Sequence, residues 1–353
     1  MSNSCDALHG EIIYKQAFCG YIPLSLWSNP MTSTHDKNSN EGDERAGVSL
    51  RNKLVAWWEG YDLSGVKQRP KNKDGDIEGG NDGGGPPLNK TDVNRFGKPL
   101  WSANRIEVVE KIWGEGFVLP GGADQIITLA KPLGLNPAMT VLDICCGLGG
   151  AARCLASNFG CWATGLESSP FLAEEGMRRS IKAGMSKQAP IVTFDQENLK
   201  YEKRVDVIFS KESLFTIKNK AGLFDRIEAI LKPKGQFLVT DYIVEPGAIN
   251  SKAIKSWVDR EPLEPQLWTL QGALDAFSQC NLDLRVHEDV TEAHKKHIIL
   301  AIRALTDHLE KHHLDNDTKV NVIDEVEAWA QRVVALSSGL KCYRFYAIKP
   351  AGS

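Results

Sequence analysis

Residues 140–150 read TVLDICCGLGG, and the reading of this stretch decides the fold. Val141, Leu142 and Ile144 supply an apolar strand with Asp143 among them, and Gly147, Gly149 and Gly150 follow as a turn before a helix that opens at about Ala151. Glycines at those places let backbone approach a ligand, so the stretch reads as a nucleotide-cofactor loop. Asp143 needs a partner, because leaving a buried carboxylate unpaired costs on the order of several kcal/mol. A ligand amine or a set of backbone N–H groups would supply one.

The hexapeptide GLGGAA (147–152) also satisfies the loose dinucleotide pattern G-x-G-x-x-A, so the loop by itself is equally open to a nicotinamide domain. The chain that follows separates the two. Residues 161–169, CWATGLESS, form a second short apolar strand ending in Glu167, placed to accept the two hydroxyls of a ribose. Residues 192–199, VTFDQENL, form a third strand ending in Asp195, where a carboxylate or neighbouring amide can receive an adenine amino group. A fourth strand at 205–210 (VDVIFS), a helix over 220–231, the turn KPKG and the strand QFLVTDY then follow in that order. Such an order fits a cofactor with a sulfonium, S-adenosylmethionine (SAM), better than NAD.

From about 101 to 350 the chain resembles the phosphoethanolamine N-methyltransferases, within the class I SAM-dependent methyltransferases. The resemblance rests on WGEGFVLPGG (113–122), VLDICCGLGG (141–150), DVIFSKESLFTI (206–217), LFDRIEAILKPKGQFLVTDY (223–242) and YRFYAIKP (343–350). It implies an α/β fold: a Rossmann-like, mostly parallel seven-stranded sheet with helices on both faces and a helical cap. It implies that Asp143, Gly147 and Gly149 hold the methionyl part of SAM, that Glu167 with Ser168 takes the ribose, and that Asp195 with Gln196 takes the adenine. Phe117 and the turn at Pro120, Gly121 and Gly122 would cover the cofactor, with Ser210 at the floor. Cys145 stands where the family usually has glycine.

The departures fall around the acceptor. Lys211 and Glu212 replace the family's arginine–aspartate pair, Thr216 stands at its histidine position, and Trp101 aligns with its tyrosine. Tyr242 matches a tyrosine that contacts substrate phosphate in the family. Glu212, Tyr242 and Trp101 are therefore the candidate catalytic residues, with Trp257 a further aromatic that could face a cationic or aromatic acceptor. Without the family histidine, the expected acceptor is already nucleophilic, such as a thiolate, thioether or activated carbon. The leading function is SAM-dependent methylation of a small molecule at N, S or O. A phosphoethanolamine-type N-methyltransferase and a SAM-binding regulator without catalysis are the alternatives, and a nicotinamide oxidoreductase is a distant third.

The chain has 353 residues and a formal charge of −3, which offers no broad attraction to nucleic acid. No apolar run approaches the ~20 residues needed to span a bilayer, and the start lacks a secretory pattern, so a cytoplasmic protein is expected. Eight cysteines include no C-x-x-C pair, which argues against a metal site and for buried thiols. His294, His297, His308, His312 and His313 lie in a stretch rich in Lys and Glu, where a solvated helix face is the default. Residues 1–53 read as a poorly ordered extension, with Met31 resembling an ordinary start. An aromatic segment at 54–64 (LVAWWEGYDLS) reads as a docking element, and 65–95, rich in Gly, Asn and Asp, as a flexible linker. The catalytic domain is expected over 96–350. It would carry a Pro-bounded lid at 245–265 and a cap at 291–338 made of helices over 292–313 and 319–336. The oligomeric state is not legible in the sequence.

Overall fold

The computed structural model describes residues 93–311 and 316–352. The extension at 1–53, the aromatic segment at 54–64 and nearly all of the linker at 65–95 lie outside the described residues.

Seven strands form one sheet in the order β3-β2-β1-β4-β5-β7-β6. They are β1 (Thr140–Ile144), β2 (Trp162–Glu167), β3 (Ile191–Thr193), β4 (Val205–Lys211), β5 (Leu231–Val244), β6 (Asp283–Asp289) and β7 (Leu340–Ile348). Every neighbouring pair from β3 to β5 is parallel, and β7 runs antiparallel to both β5 and β6. Strand order reverses between β1 and β4, which opens a crevice beyond the carboxyl ends of those strands, the usual ligand edge of an open α/β sheet.

The buried runs of β1 and β4 leave both faces to be covered by helices. On one face Ile208, Phe237 and Val239 pack with α5 (Lys220–Ile230) and α7 (Leu270–Gln279) through Phe224 and Phe277. On the other, Val207, Phe209 and Leu238 pack with α2 (Gly122–Ala130) and α3 (Gly150–Phe159) through Ile126 and Leu155. The alternation of β4 residues between the two clusters is the period of two that a strand imposes. Between β2 and β3, α4 (Pro170–Lys182) begins at Pro170, with the Ser169 hydroxyl capping the Leu172 N–H.

The KPKG turn lies between the 220–230 helix and QFLVTDY as sequence order places it, but inside the bounds of β5. Leu231 already pairs with Val205, and pairing resumes at Gln236 opposite Val207, so residues 232–235 are looped out of β5 with Lys234 at φ 64°. A third apolar cluster sits above the ligand edge. It joins α1 (Ala103–Trp113), α6 (Lys252–Val258), α8 (Thr291–Lys311) and α9 (Asn316–Leu336). The lid segment thus contributes α6 to the cap itself, with Ile254 and Trp257 fully buried in it. No described helix is long and apolar enough to cross a membrane.

Candidate active site

Asp143 leaves β1 buried, and its Oδ2 has no hydrogen-bond partner. Burial first, and the nearby Glu167 carboxylate second, push its pKa up to about 8. Glu167 ends β2 and accepts N–H donors from Gly147 at 2.7 Å and Ser169 at 2.9 Å, while the Ser168 hydroxyl donates to it at 3.4 Å. Burial still holds the Glu167 carboxyl above its ordinary value, with these donors countering it in part. Asp195 and Gln196 lie just past β3, Asp195 exposed and accepting the Glu197 N–H, Gln196 half-buried. Ser210 is buried at the end of β4, where its hydroxyl donates to the Ile144 carbonyl at 3.0 Å.

The loop after β1 is packed backbone to backbone. Gly147 and Gly149 have φ of 58° and 72°, and Cys145 adopts 59° although it carries a side chain. At Gly150 a Cβ would overlap the carbonyl oxygen of Gly116. Gly150→Ala is therefore expected to force the 114–122 segment off the loop and cost about 1–3 kcal/mol, measured by urea unfolding, with a loss of cofactor affinity larger than the stability loss alone explains.

The cleft beside Asp143 is lined by Phe117, Pro120, Gly122, Cys145, Phe209 and Lys211. Its cavity of about 40 Å³ is far below the ~300 Å³ at which ligand pockets begin. Phe117 and Pro120 close it from above, and Gly121, at φ 93°, begins α2 beside them. A cofactor bearing an ammonium and a ribose diol fits these residues: an orphaned buried carboxylate oxygen faces the cleft, Glu167 lies one strand away, and glycine backbone lines the approach. The 114–122 segment is the wall that covers this cleft.

Lys211 joins this cleft to a second group. Its Nζ donates to the Pro120 carbonyl at 2.8 Å and to Glu212 Oε1. Glu212 is buried at φ 51°. The Tyr242 hydroxyl lies 3.2 Å from Glu212 Oε2 and 2.9 Å from His294 Nε2, and His294 Nδ1 is 3.5 Å from Glu212 Oε1. Burial pushes Glu212 upward, but His294, Lys211 and Arg332 together outweigh it and hold the carboxyl below its ordinary value. Burial also lowers His294 to about 4 against the pull of Glu212, so its imidazole is neutral near pH 7. The Tyr242 hydroxyl donates its hydrogen to Glu212 Oε2, so a neutral ring consistent with that bond carries its proton on Nε2 and donates it to the Tyr242 oxygen, leaving Nδ1 without a hydrogen-bond partner.

His294 overturns the expectation of a solvated face, being 1% exposed. The signal was present in the spacing: His294, Ile298, Ile302 and Leu305 fall on one helical stripe, and all four are buried. Arg332 was also missed. It is buried in α9, pairs with Glu261, and carries its guanidinium 4.3–5.8 Å from the ring centres of Trp329, Tyr242, Phe215 and Trp257. Trp257 donates its ring N–H to that same Glu261 and stands 6.0 Å from the Tyr242 ring, so it buttresses the group and points at a protein cation. Trp101 packs against the cap cluster that contains Tyr242 and Trp257 and also against the small cluster of Ile106, Leu148 and Leu172, with the Arg105 guanidinium 4.4 Å from its ring.

Sheet order, reversed β7 and an acid-tipped glycine loop define the class I methyltransferase fold. Residues 121–279, a little under half of the chain, match the family model described as a methyltransferase domain. Phosphoethanolamine N-methyltransferase 3 of Arabidopsis thaliana is 26% identical over 234 residues, covering 65% of this chain and 46% of its own. Phosphoethanolamine N-methyltransferase 1 of Zea mays is 32% identical over 148 residues, covering 42% and 29%. The chain spans less than half the length of these two curated relatives. Among solved structures, phosphoethanolamine N-methyltransferase 2 of Haemonchus contortus, in complex with phosphomonomethylethanolamine and S-adenosylhomocysteine, superposes with a TM-score of 0.63 at 24% identity. The alignment covers 72% of this chain and 62% of that one. At that identity the likeness is one of fold.

Proposed function

We propose that the protein methylates a small-molecule amine using SAM. The observation that carries this reading is the Glu212–Tyr242–His294 group, tied through Lys211 to the Asp143 cleft. The expectation of an acceptor that needs no base rested on the missing family histidine, and His294 supplies a buried imidazole from a different element. A protonated amine must lose its proton before it can attack, and an aligned base speeds that step.

Asp143 would hold the ammonium of the cofactor and Glu167 its ribose, with Asp195 and Gln196 toward the adenine and Phe117 and Pro120 as cover. When bound, SAM supplies an electrophilic methyl group on a sulfonium. The residues of the chain orient the acceptor and exclude water. A proton leaving the acceptor nitrogen passes to the Tyr242 oxygen as that hydroxyl gives its own to Glu212 Oε2, which aligns it, while the His294 ring holds the tyrosine oxygen from the other side. The Arabidopsis, Zea and Haemonchus relatives are named for phosphoethanolamine, and Tyr242 with Arg332 makes a phosphate-bearing amine the first acceptor to try. A formal charge of −3 and a narrow cleft support a small molecule over nucleic acid, and a cytoplasmic setting fits the cysteine pattern.

The test is transfer of labelled methyl from SAM to a panel of phosphoethanolamine, simple amines and thiols, read by mass spectrometry. Labelled amine from wild type, with turnover lowered about a hundredfold or more in His294→Asn, supports the reading. Labelled thiol alone, or wild-type turnover in the variant, overturns the amine assignment.

A further inference from the structure

A groove of about 590 Å³ opens between the start of α5 and the outer face of α6. Its lining shares no residue with that of the Asp143 cleft. The volume is that of a site for a ligand of some twenty or more heavy atoms, well inside the roughly 300–1,000 Å³ of small-molecule pockets.

The chemistry of the walls is two-sided. Ile249, 45% exposed at the rim, Val258 and the Trp268 ring give an apolar wall. Lys218 and Lys255 stand exposed on opposite sides, and Asp259 is the lone acid in the lining. Lys220 is already committed: its Nζ donates to the Leu214 and Ile217 carbonyls at 2.7 and 2.8 Å and lies 5.1 Å from the Trp268 ring centre. It therefore adds positive charge at the floor, while Lys218, 4.0 Å from Glu264 in an exposed pair that water screens, and Lys255 are the cations at the opening. Asn219, the cap of the 11-residue α5, also lines the groove, which brings the positive end of that helix to the same wall. Cations from both α6 and the segment opening α5, together with an aromatic wall, select an anion with an apolar body.

We propose that this groove is a second binding site, for an amphipathic anion: a carboxylate, phosphate or sulfonate head on a flat apolar body. Its position gives it a line to the acceptor group. Lys255 and Val258 face the groove from α6, and on the inner face of the same short helix Trp257 packs against Tyr242 and Phe215. A ligand held between Lys218 and Lys255 braces α6 and with it the ring that buttresses Tyr242.

Anilinonaphthalene sulfonate, an aromatic sulfonate, is the probe. Titrated into the full chain and followed by fluorescence, it is expected to saturate at one site. Affinity should fall about tenfold or more in Lys218→Gln/Lys255→Gln and stay at the wild-type level in Lys252→Gln, a change on the same helix outside the lining. Saturating SAM should leave the signal in place. Equal affinity in the double variant, loss of the signal on adding SAM, or no saturable binding by the wild-type chain would overturn the proposal. Both lysines are exposed, so unchanged circular dichroism is expected in every variant.

Discussion

Glu212→Gln lowers methyl transfer about a hundredfold or more while cofactor affinity stays within about threefold, as expected for a group that aligns a proton acceptor without touching the cofactor. The reason lies in its four neighbours. Glu212 faces Lys211, the Tyr242 hydroxyl and His294 Nδ1, with Arg332 near enough to affect its ionisation. Removing its charge leaves Lys211 with the Pro120 carbonyl and weakens the acceptor that holds the Tyr242 hydroxyl. Loss of one member of a buried ion pair also costs about 3–5 kcal/mol of stability, so the melting temperature falls too. Tyr242→Phe separates the two effects, because it keeps the ring packed on Phe215 and Trp257 and removes only the hydroxyl. A folded Tyr242→Phe with wild-type turnover would exclude the proton route through Tyr242; wild-type turnover in Glu212→Gln would exclude the aligning role.

The second large effect is a proton released when SAM binds. Near pH 7 the ligand-free Asp143 is protonated, because burial and Glu167 raise it to about 8. A bound ammonium stabilises the carboxylate and expels that proton. Calorimetry in two buffers of different ionisation enthalpy should therefore show roughly one proton released per SAM at pH 7. Affinity should rise as pH climbs toward about 8 and level off above it. The stability of the ligand-free protein carries the opposite sign. Its folded pKa lies above the unfolded value of 3.8, so this contribution is full below 3.8 and is lost as pH rises to about 8. Asp143→Asn should release no proton and bind SAM about a hundredfold more weakly, by the cost of breaking a buried charge pair. Proton release unchanged in that variant would assign the proton to another group.

Much of the sheet could be read from the chain because its signals are local. TVLDI followed by three glycines declares strand and turn within eleven residues, and Glu167 and Asp195 each lie at or just past a strand end in the expected order. The acceptor group was not legible as a whole, because its parts meet only through tertiary packing. His294 is 52 residues beyond Tyr242 and arrives on a cap helix. Arg332 comes from a second cap helix, and the aromatic rings around it are gathered from four separate segments of the chain. Composition favoured an exposed histidine in a Lys- and Glu-rich segment, whereas the apolar stripe through Ile298, Ile302 and Leu305 was the better guide. Residues 232–235 show the opposite limit: the turn was read correctly, but its place as a loop inside β5 depends on a pairing with β4 that no local pattern reveals.

One ammonium group, that of Lys211, is shared between the segment over the cleft and the carboxylate beneath the cap. Were the 114–122 segment to lift, the Pro120 carbonyl would leave with it, and that lysine hydrogen would pass to water or to Glu212. The cover of the cleft and the charge balance around Tyr242 thus meet in one side chain, through how a lysine divides its three hydrogens.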